Sequence, residues 1–533
     1  MGRQMDIELI EELSSNKILR TTWYSIVVGF FFLFVLIPPI YLFAYLAGSF
    51  DKLPLVLDNP VIIKDMRSAI GLSYAIAATV TIIDAIAALP MAWILLKKEF
   101  RFKRFLDTLL DLPMALPTSA LGFSVAMFWL KMMDLRSAFW GVVALHVAMS
   151  YPYMLRTLIA SLKAVRSQYE IAARTLGAHP FTVARTVTLP IAKPGIIAGS
   201  ILCFAKSLSE TGGTAVTLSI IGAMERTGPV LIKAWKSAET QTEVFLLAGG
   251  ILSGILIVSS LIVLYSFRIL ASRWKLPIKR IWSWERRISR RPFTSIRDLL
   301  SIFFSVFVVL IPSTFIALFP LWLNFEGVPR GLISAIWNSV LIASVTTLIN
   351  LVTGVPLSIL IARSKSPIVA SMLDALVNIP LIVPTTALGF SISLFWSRGV
   401  ALGLSDLTVI SLAHISFTQP LLVRNVIASL EQLDPSLEDT ARTLGANPLE
   451  TFRKITFPLI SPGILAGTIL SFTRSLGETG ATISVVPVAH TAPVYIVDLV
   501  KQRAYSVAGI SCIILLLISG ALLYALKRAG RSS

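Results

Sequence analysis

Two stretches of the chain repeat one another: LDTLLDLPMALPTSALGF at 106–123 and LDALVNIPLIVPTTALGF at 373–390. Asp107, Pro113, Pro117 and Gly122 recur as Asp374, Pro380, Pro384 and Gly389, each 267 residues further on. Beyond these blocks the offset becomes 268. It carries His146 to His414, Pro152 to Pro420, Gly177 to Gly445, Pro190 to Pro458 and Glu210 to Glu478, so a single residue has been inserted between the blocks. The chain is an internal duplication, and its fold is to be read once and applied twice.

Composition sets the class of that fold. Of 533 residues 55% are apolar and only 14% are Asp, Glu, Lys or Arg, against roughly a quarter charged in soluble domains. Residues 21–50, 299–325 and 507–526 carry no charge at all. About 20 apolar residues cross a bilayer as a helix, because in hydrocarbon the backbone must satisfy its own hydrogen bonds. A soluble globular protein is thereby excluded. An acidic stretch (Asp6, Glu8, Glu11, Glu12) before the first run, and the length of that run, argue against a secretory signal. The expectation is an all-α polytopic membrane protein with about 12 transmembrane helices in two parallel six-helix repeats. The first repeat covers 1–267, with spans near 22–49, 68–96, 106–133, 139–163, 190–209 and 243–267. A linker occupies 268–298. The second repeat covers 299–533, with spans near 299–324, 332–362, 371–396, 405–430, 458–477 and 505–526.

The formal charge of +18 is bunched. Between Arg268 and Arg297 stand ten basic residues and one acid, Glu285, and KKEFRFKR at 97–104 lies between two apolar runs. Short basic loops beside spans read as cytoplasmic and as contacts for lipid headgroups rather than nucleic acid. They place both termini, the loops 164–189 and 431–457 and the linker inside, with Trp282 and Trp284 as interfacial anchors. Cys203 and Cys512 both fall in apolar runs, which argues against a disulfide framework or a cysteine metal site.

The loop between spans four and five carries a pattern in each repeat: YEIAARTLGAHPFTVARTVTLP at 169–190 and LEDTARTLGANPLETFRKITFP at 437–458. A short helix of small residues ends at Gly177 or Gly445. His179-Pro180 or Asn447-Pro448 turns the chain, and Pro190 or Pro458 opens the next span, where a missing N–H is harmless. Small residues let another surface approach closely, and acids suit the positive start of the helix. Such an element is either a knob on the inner face that presses into a soluble partner or an ordinary loop helix packed on its own bundle, and its occurrence at equivalent positions of both repeats favours the knob.

These loops resemble the EAA loop of ABC-transporter permeases, in which E-A-A is followed after three residues by G and after nine more by I-x-L-P. Ala172, Ala173, Gly177, Val187, Leu189 and Pro190 fit in the first repeat, and Ala441, Gly445, Ile455 and Pro458 in the second. Ile171 and Asp439 occupy the acid position, with Glu170 and Glu438 one residue earlier; Thr440 and Phe457 also depart from the pattern. The resemblance implies that Glu170, Ala172, Ala173, Gly177, Glu438, Asp439, Ala441 and Gly445 couple the chain to a cytoplasmic ATPase. It implies two copies of that ATPase, an extracytoplasmic solute-binding protein, and a multi-pass protein of a prokaryotic cytoplasmic membrane that supplies both permease halves itself. The sequence has no G-x-x-x-x-G-K-[ST] phosphate loop. ATP and magnesium would therefore be handled by the partner, and the chain would bind no cofactor or metal and be no enzyme.

Inside the membrane a charge is a functional candidate. FAKSLSETGGT at 204–214 places Lys206 four residues before Glu210, and FTRSLGETGAT at 472–482 places Arg474 four before Glu478. Two readings stand: a self-compensated ion pair on one helix face, or residues lining a path or gate. The glycines that follow each acid allow a helix to end there. The S-[LS]-[GS]-E-T-G wording resembles permeases for molybdate, tungstate, sulfate and, more loosely, phosphate; Ser209 departs from the glycine kept at Gly477. Iron(III), thiamine and polyamine permeases share the architecture. A secondary transporter and a membrane enzyme are the competing classes, the latter disfavoured by the lack of any dense ligand or nucleophile cluster. His146 and His414 are expected to hydrogen-bond across helices. Pro113, Pro117, Pro380 and Pro384 are expected to bend the third spans.

Overall fold

The computed structural model describes residues 16–237, 243–273, 283–322, 329–364, 366–486 and 491–529. The acids at 6–12, Trp282 and the last four residues, on which part of the inside-outside reading rests, lie outside the described residues. Every element among the described residues is helical. Among the described residues nine helices are long and apolar enough to cross a membrane, or eleven if each of two bent pairs is one span. The helix Tyr505–Ala529 follows them near the C-terminus. The polytopic helical class stands, built twice.

Helix starts follow from local chemistry. The Asn59 side chain accepts from the N–H groups of Val61 and Ile62 ahead of the long helix Pro60–Lys97, with proline at its first position. Ser137 and Ser405 cap the equivalent fourth helices, Ala138–Lys163 and Asp406–Gln432.

The third span of each repeat is broken, as the prolines lead one to expect. Lys103–Met114 meets Thr118–Met132 at 110°, and Pro367–Ile382 meets Thr385–Gly399 at 103°. The cause lies in the residue before proline, which a clash with the ring excludes from the helical region. Leu116 accordingly sits at φ −81°, ψ 137°, and Val383 at φ −69°, ψ 132°. The helices beyond the breaks, Thr118–Met127 and Thr385–Leu394, are buried along nearly their whole length. Each packs against a short helix that follows the fifth span, Gly212–Ile221 or Gly480–Val485. Contact is at backbone distance: a methyl group on Gly122 would lie 2.4 Å from Gly213 Cα, and one on Gly389 would lie 2.6 Å from the Ala481 carbonyl oxygen.

The chain packs as two compact units whose composition crosses the repeat. One contains the helix Thr21–Gly48 with Arg330–Ala492 and the last turns from Leu517; the other contains Asp51–Pro329 with Pro493–Leu516. The first helix of each repeat therefore packs among helices of the other. In the first unit Phe34 stacks on Trp396 at 5.4 Å and its carbonyl accepts the Ser416 hydroxyl at 3.1 Å. In the second, Ser124 donates to the Pro312 carbonyl at 2.7 Å, and Tyr151 and Ser305 share a hydrogen bond at 2.7 Å. The boundaries 1–267, 268–298 and 299–533 divide the sequence, whereas the units divide the packing.

Gly122→Ala and Gly389→Ala should each lower the thermal midpoint of the detergent-purified chain, at a cost of about 1–3 kcal/mol for overpacking. Gly71→Ala, whose added methyl meets nothing within 4 Å, should leave the midpoint unchanged or raise it slightly.

Candidate functional site

The helix in the loop between the fourth and fifth spans is short in each repeat: Ser167–Thr175 in the first and Pro435–Thr443 in the second. The second begins at Asp434, whose carboxylate accepts from the Ser436 N–H at 2.9 Å, a bond that holds its pKa below the ordinary value. Both end in the same closure. Gly177 N–H bonds to the Arg174 carbonyl and Ala178 N–H to that of Ala173; Gly445 and Ala446 repeat this with Arg442 and Ala441. The motif needs a left-handed residue, and Gly177 has φ +85°, Gly445 φ +94°.

The two glutamates of these helices point inward. Glu170 is buried, pairs with Lys97 Nζ at 2.8 Å and accepts the Thr188 hydroxyl at 3.0 Å. Glu438 is buried, pairs with Arg363 Nε at 3.0 Å and accepts Thr456 at 2.8 Å. Each acid thus ties its helix to the end of the second span and to the elbow leading into the fifth. The outer surface is apolar instead: Tyr169, Ile171 and Leu437 are exposed, and Leu176 and Leu444 are 89% and 83% exposed. Ala172 and Asp439 share that surface, with Ala173 and Ala441 half-buried behind it. Of the eight coupling residues read from the sequence, Glu170 and Glu438 anchor, Gly177 and Gly445 shape, and the other four lie at or near the surface.

The linker adds a contact at the first elbow. Its acid Glu285, on the helix Ser283–Ile288, is fully buried, paired with Arg185 Nε at 2.7 Å and accepting Thr182 at 2.6 Å. Ser289 accepts from the Phe181 N–H at 3.2 Å, and Trp284 lies against Phe181, ring centres 5.5 Å apart. Trp284 is 44% exposed, so its ring packs on the protein on one side and is open on the other.

Glu210 and Glu478 stand where the fifth span stops and the short buried helix starts. Their carboxylates accept the N–H groups of Gly213 (2.9 Å) and Ala481 (3.0 Å), capping those helices. Glu478 also pairs with Arg474 at 2.5 Å, and the Arg474 guanidinium lies 5.2 Å from the Phe417 ring centre. Lys206 is half-buried one turn before Glu210. His146 and His414 bridge the same two elements. The ring of His146 bonds Ser207 at 2.7 Å and Thr214 at 2.8 Å; that of His414 bonds Ser475 at 2.8 Å and Thr482 at 2.9 Å. The expected hydrogen bonds across helices are present in both repeats.

One polar node escaped the sequence reading. Asp84, buried in the long second helix, accepts the Ser150 hydroxyl, with Cys203 adjacent. At the equivalent place Asn350 donates to Thr418 at 2.8 Å and Ser471 at 2.9 Å. An acid alone in a charge-free run, with an amide 266 residues later, was the available signal.

The chain is a membrane protein of bent, paired spans with two protruding loops and two capped buried helices. It belongs to the family described as "binding-protein-dependent transport system inner membrane component", which matches it twice, over residues 85–275 and 354–529. The chain is 37% identical over 155 residues to the sulfate transport system permease protein CysT of Salmonella typhimurium, a match covering 27% of this chain and 56% of that one. It is 31% identical over 208 residues to the molybdate/tungstate transport system permease protein WtpB of Methanocaldococcus jannaschii, covering 38% of this chain and 78% of the relative. To the molybdenum transport system permease protein ModB of Escherichia coli it is 36% identical over 167 residues, covering 28% and 72%. This chain is thus a double-length member, with the family's domain present in each repeat.

Glu285→Ala should remove the buried carboxylate that Arg185 and Thr182 share and so destabilise the chain. Thermal unfolding of the purified chain should show a larger drop for Glu285→Ala than for Glu285→Gln, which keeps a hydrogen-bond acceptor for Thr182.

Proposed function

We propose that this chain is the complete membrane pathway of an ATP-driven importer for a tetrahedral oxyanion of the sulfate, molybdate or tungstate class. A soluble ATPase dimer would press on the two coupling helices from the cytoplasm, and an extracytoplasmic binding protein would deliver the solute. The observation that carries this reading is the inverted polarity of the coupling helices. Their acids are buried while Leu176 and Leu444 stand out, and an exposed apolar knob anchored by a buried acid is built to enter a groove on a partner. Two knobs call for two ATPase subunits. The basic loops support a cytoplasmic position for this face and for both termini.

The solute class rests on the names of the relatives and on the glutamate wording of the fifth span. Lys206, Glu210, Arg474 and Glu478 belong to the gate in this reading. The two capped helices would tilt when the coupling helices move, since His146 and His414 tie them to the fifth spans that begin at the elbows.

The test is reconstitution of the chain with its ATPase and binding protein in vesicles. Molybdate or sulfate bound to the binding protein should stimulate ATP hydrolysis and uptake. Accumulation against a gradient by the chain alone, driven by an ion gradient, would instead identify a secondary transporter, and stimulation by iron(III), thiamine or a polyamine would change the solute class. Gly177→Val together with Gly445→Val forces a β-branched residue into the left-handed region, at roughly 1–2 kcal/mol each. That double variant should insert normally and lose uptake; unimpaired uptake would remove the loops from the mechanism.

A further inference from the structure

One charged cluster remains without a task. The helix Gly228–Lys236 follows the capped helix Gly212–Ile221, after the span Pro180–Ser209 has carried the chain away from the coupling loop. Its Lys233 is 3% exposed, and its Nζ makes no hydrogen bond. Beside it lie Asp498 and Lys501 of the helix Ala492–Lys501, with Lys501 Nζ 3.8 Å from Asp498 Oδ1. All three residues belong to the same packed unit.

A buried ammonium without an acceptor is unfavourable, and a second ammonium beside it adds repulsion. Burial first, and then Lys501, bring Lys233 down to about 7, which Asp498 only partly opposes. Two cations therefore share one carboxylate, and that carboxylate is already beside Lys501. The cluster is not repeated at the equivalent positions of the other repeat. Aligning Pro229 with Pro493 sets Val497 opposite Lys233, Ala234 opposite Asp498 and Ser237 opposite Lys501. Each repeat contributes a part, and one copy results. A site that serves a solute needs one copy, whereas the loop anchors, the capping glutamates and the bridging histidines of this chain occur twice.

We propose that Lys233 and Lys501 form an anion-binding station that holds a tetrahedral oxyanion dianion on the side of the protein opposite the coupling loops. Asp498 withholds part of the positive charge, so the anion binds firmly enough to enter and weakly enough to move on. The inference rests on the oxyanion reading of the function.

Equilibrium dialysis of labelled molybdate and sulfate against the full chain in lipid-depleted detergent tests it. Binding should be saturable and displaced by tungstate but not by chloride at equal ionic strength. Lys233→Met and Lys501→Met should each weaken it on the order of tenfold, the loss of one charge-assisted bond. Lys233→Arg should retain it, and Asp498→Asn should tighten it, an effect that a merely structural role for the cluster does not produce. Unsaturable binding, displacement by chloride, or equal affinity in all variants overturns the site. If Lys233→Met fails to fold, the more exposed Lys501→Met and Asp498→Asn decide. Loss of binding in nanodiscs rich in phosphatidylglycerol would assign the station to a lipid phosphate and also overturn it. A complex that imports an oxyanion through a chain that binds none defeats this site alone; a complex that imports another solute defeats the reading beneath it.

Discussion

A buried carboxylate held by a partly exposed base fixes each loop helix of this protein. Lys97 and Arg363 close their second helices at the membrane surface, and Glu170 and Glu438 reach in from the loop helices to meet them. In each pair only the carboxylate is buried, and the base reaches it from a partly exposed position. The consequence is orientation. With the acid turned inward, the short helix has no choice but to present its apolar residues outward, and the threonine bonds to the same acid lock the elbow into the fifth span. The loop helix, its anchor and the span that leads to the buried glutamate form one mechanical line, drawn twice.

The second line runs through the backbone. Prolines break the third spans, and small residues at the breaks let two half-helices approach at backbone contact. The new helix start left by the end of the fifth span is satisfied by Glu210 or Glu478. Glycine, proline and a capping acid are thus parts of a single solution to one requirement, that no N–H be left bare in an apolar interior. The histidines clamp that solution from the fourth helix.

Much of this was legible before any coordinates. Charge-free runs, the duplication and the proline breaks are local signals, and duplication doubled the weight of every motif. The helix-ending role of Gly177 and Gly445 was readable because glycine is favoured in the left-handed closure. The facing of Glu170 and Glu438 was not readable: a helix of nine residues offers too few turns to define a face, and ordinary amphipathic reasoning would have turned Ile171 and Leu176 inward. The partners of Glu285, Asp84 and Lys233 were hidden for a different reason. Each is chosen by packing between segments far apart in the chain, and Arg185 gives no sign, in sequence, that a linker acid 100 residues away will find it.

The exchange of first helices bears on how the molecule is made. Thr21–Gly48 is synthesised well before the helices it packs among, which begin at Arg330, some 280 residues later. At ribosomal rates the interval is roughly 14–56 s. During that time this helix is without the Trp396 ring that Phe34 will stack on. Fusing the two repeats guarantees that the awaited surface arrives on the same chain, so assembly becomes a matter of waiting rather than of collision.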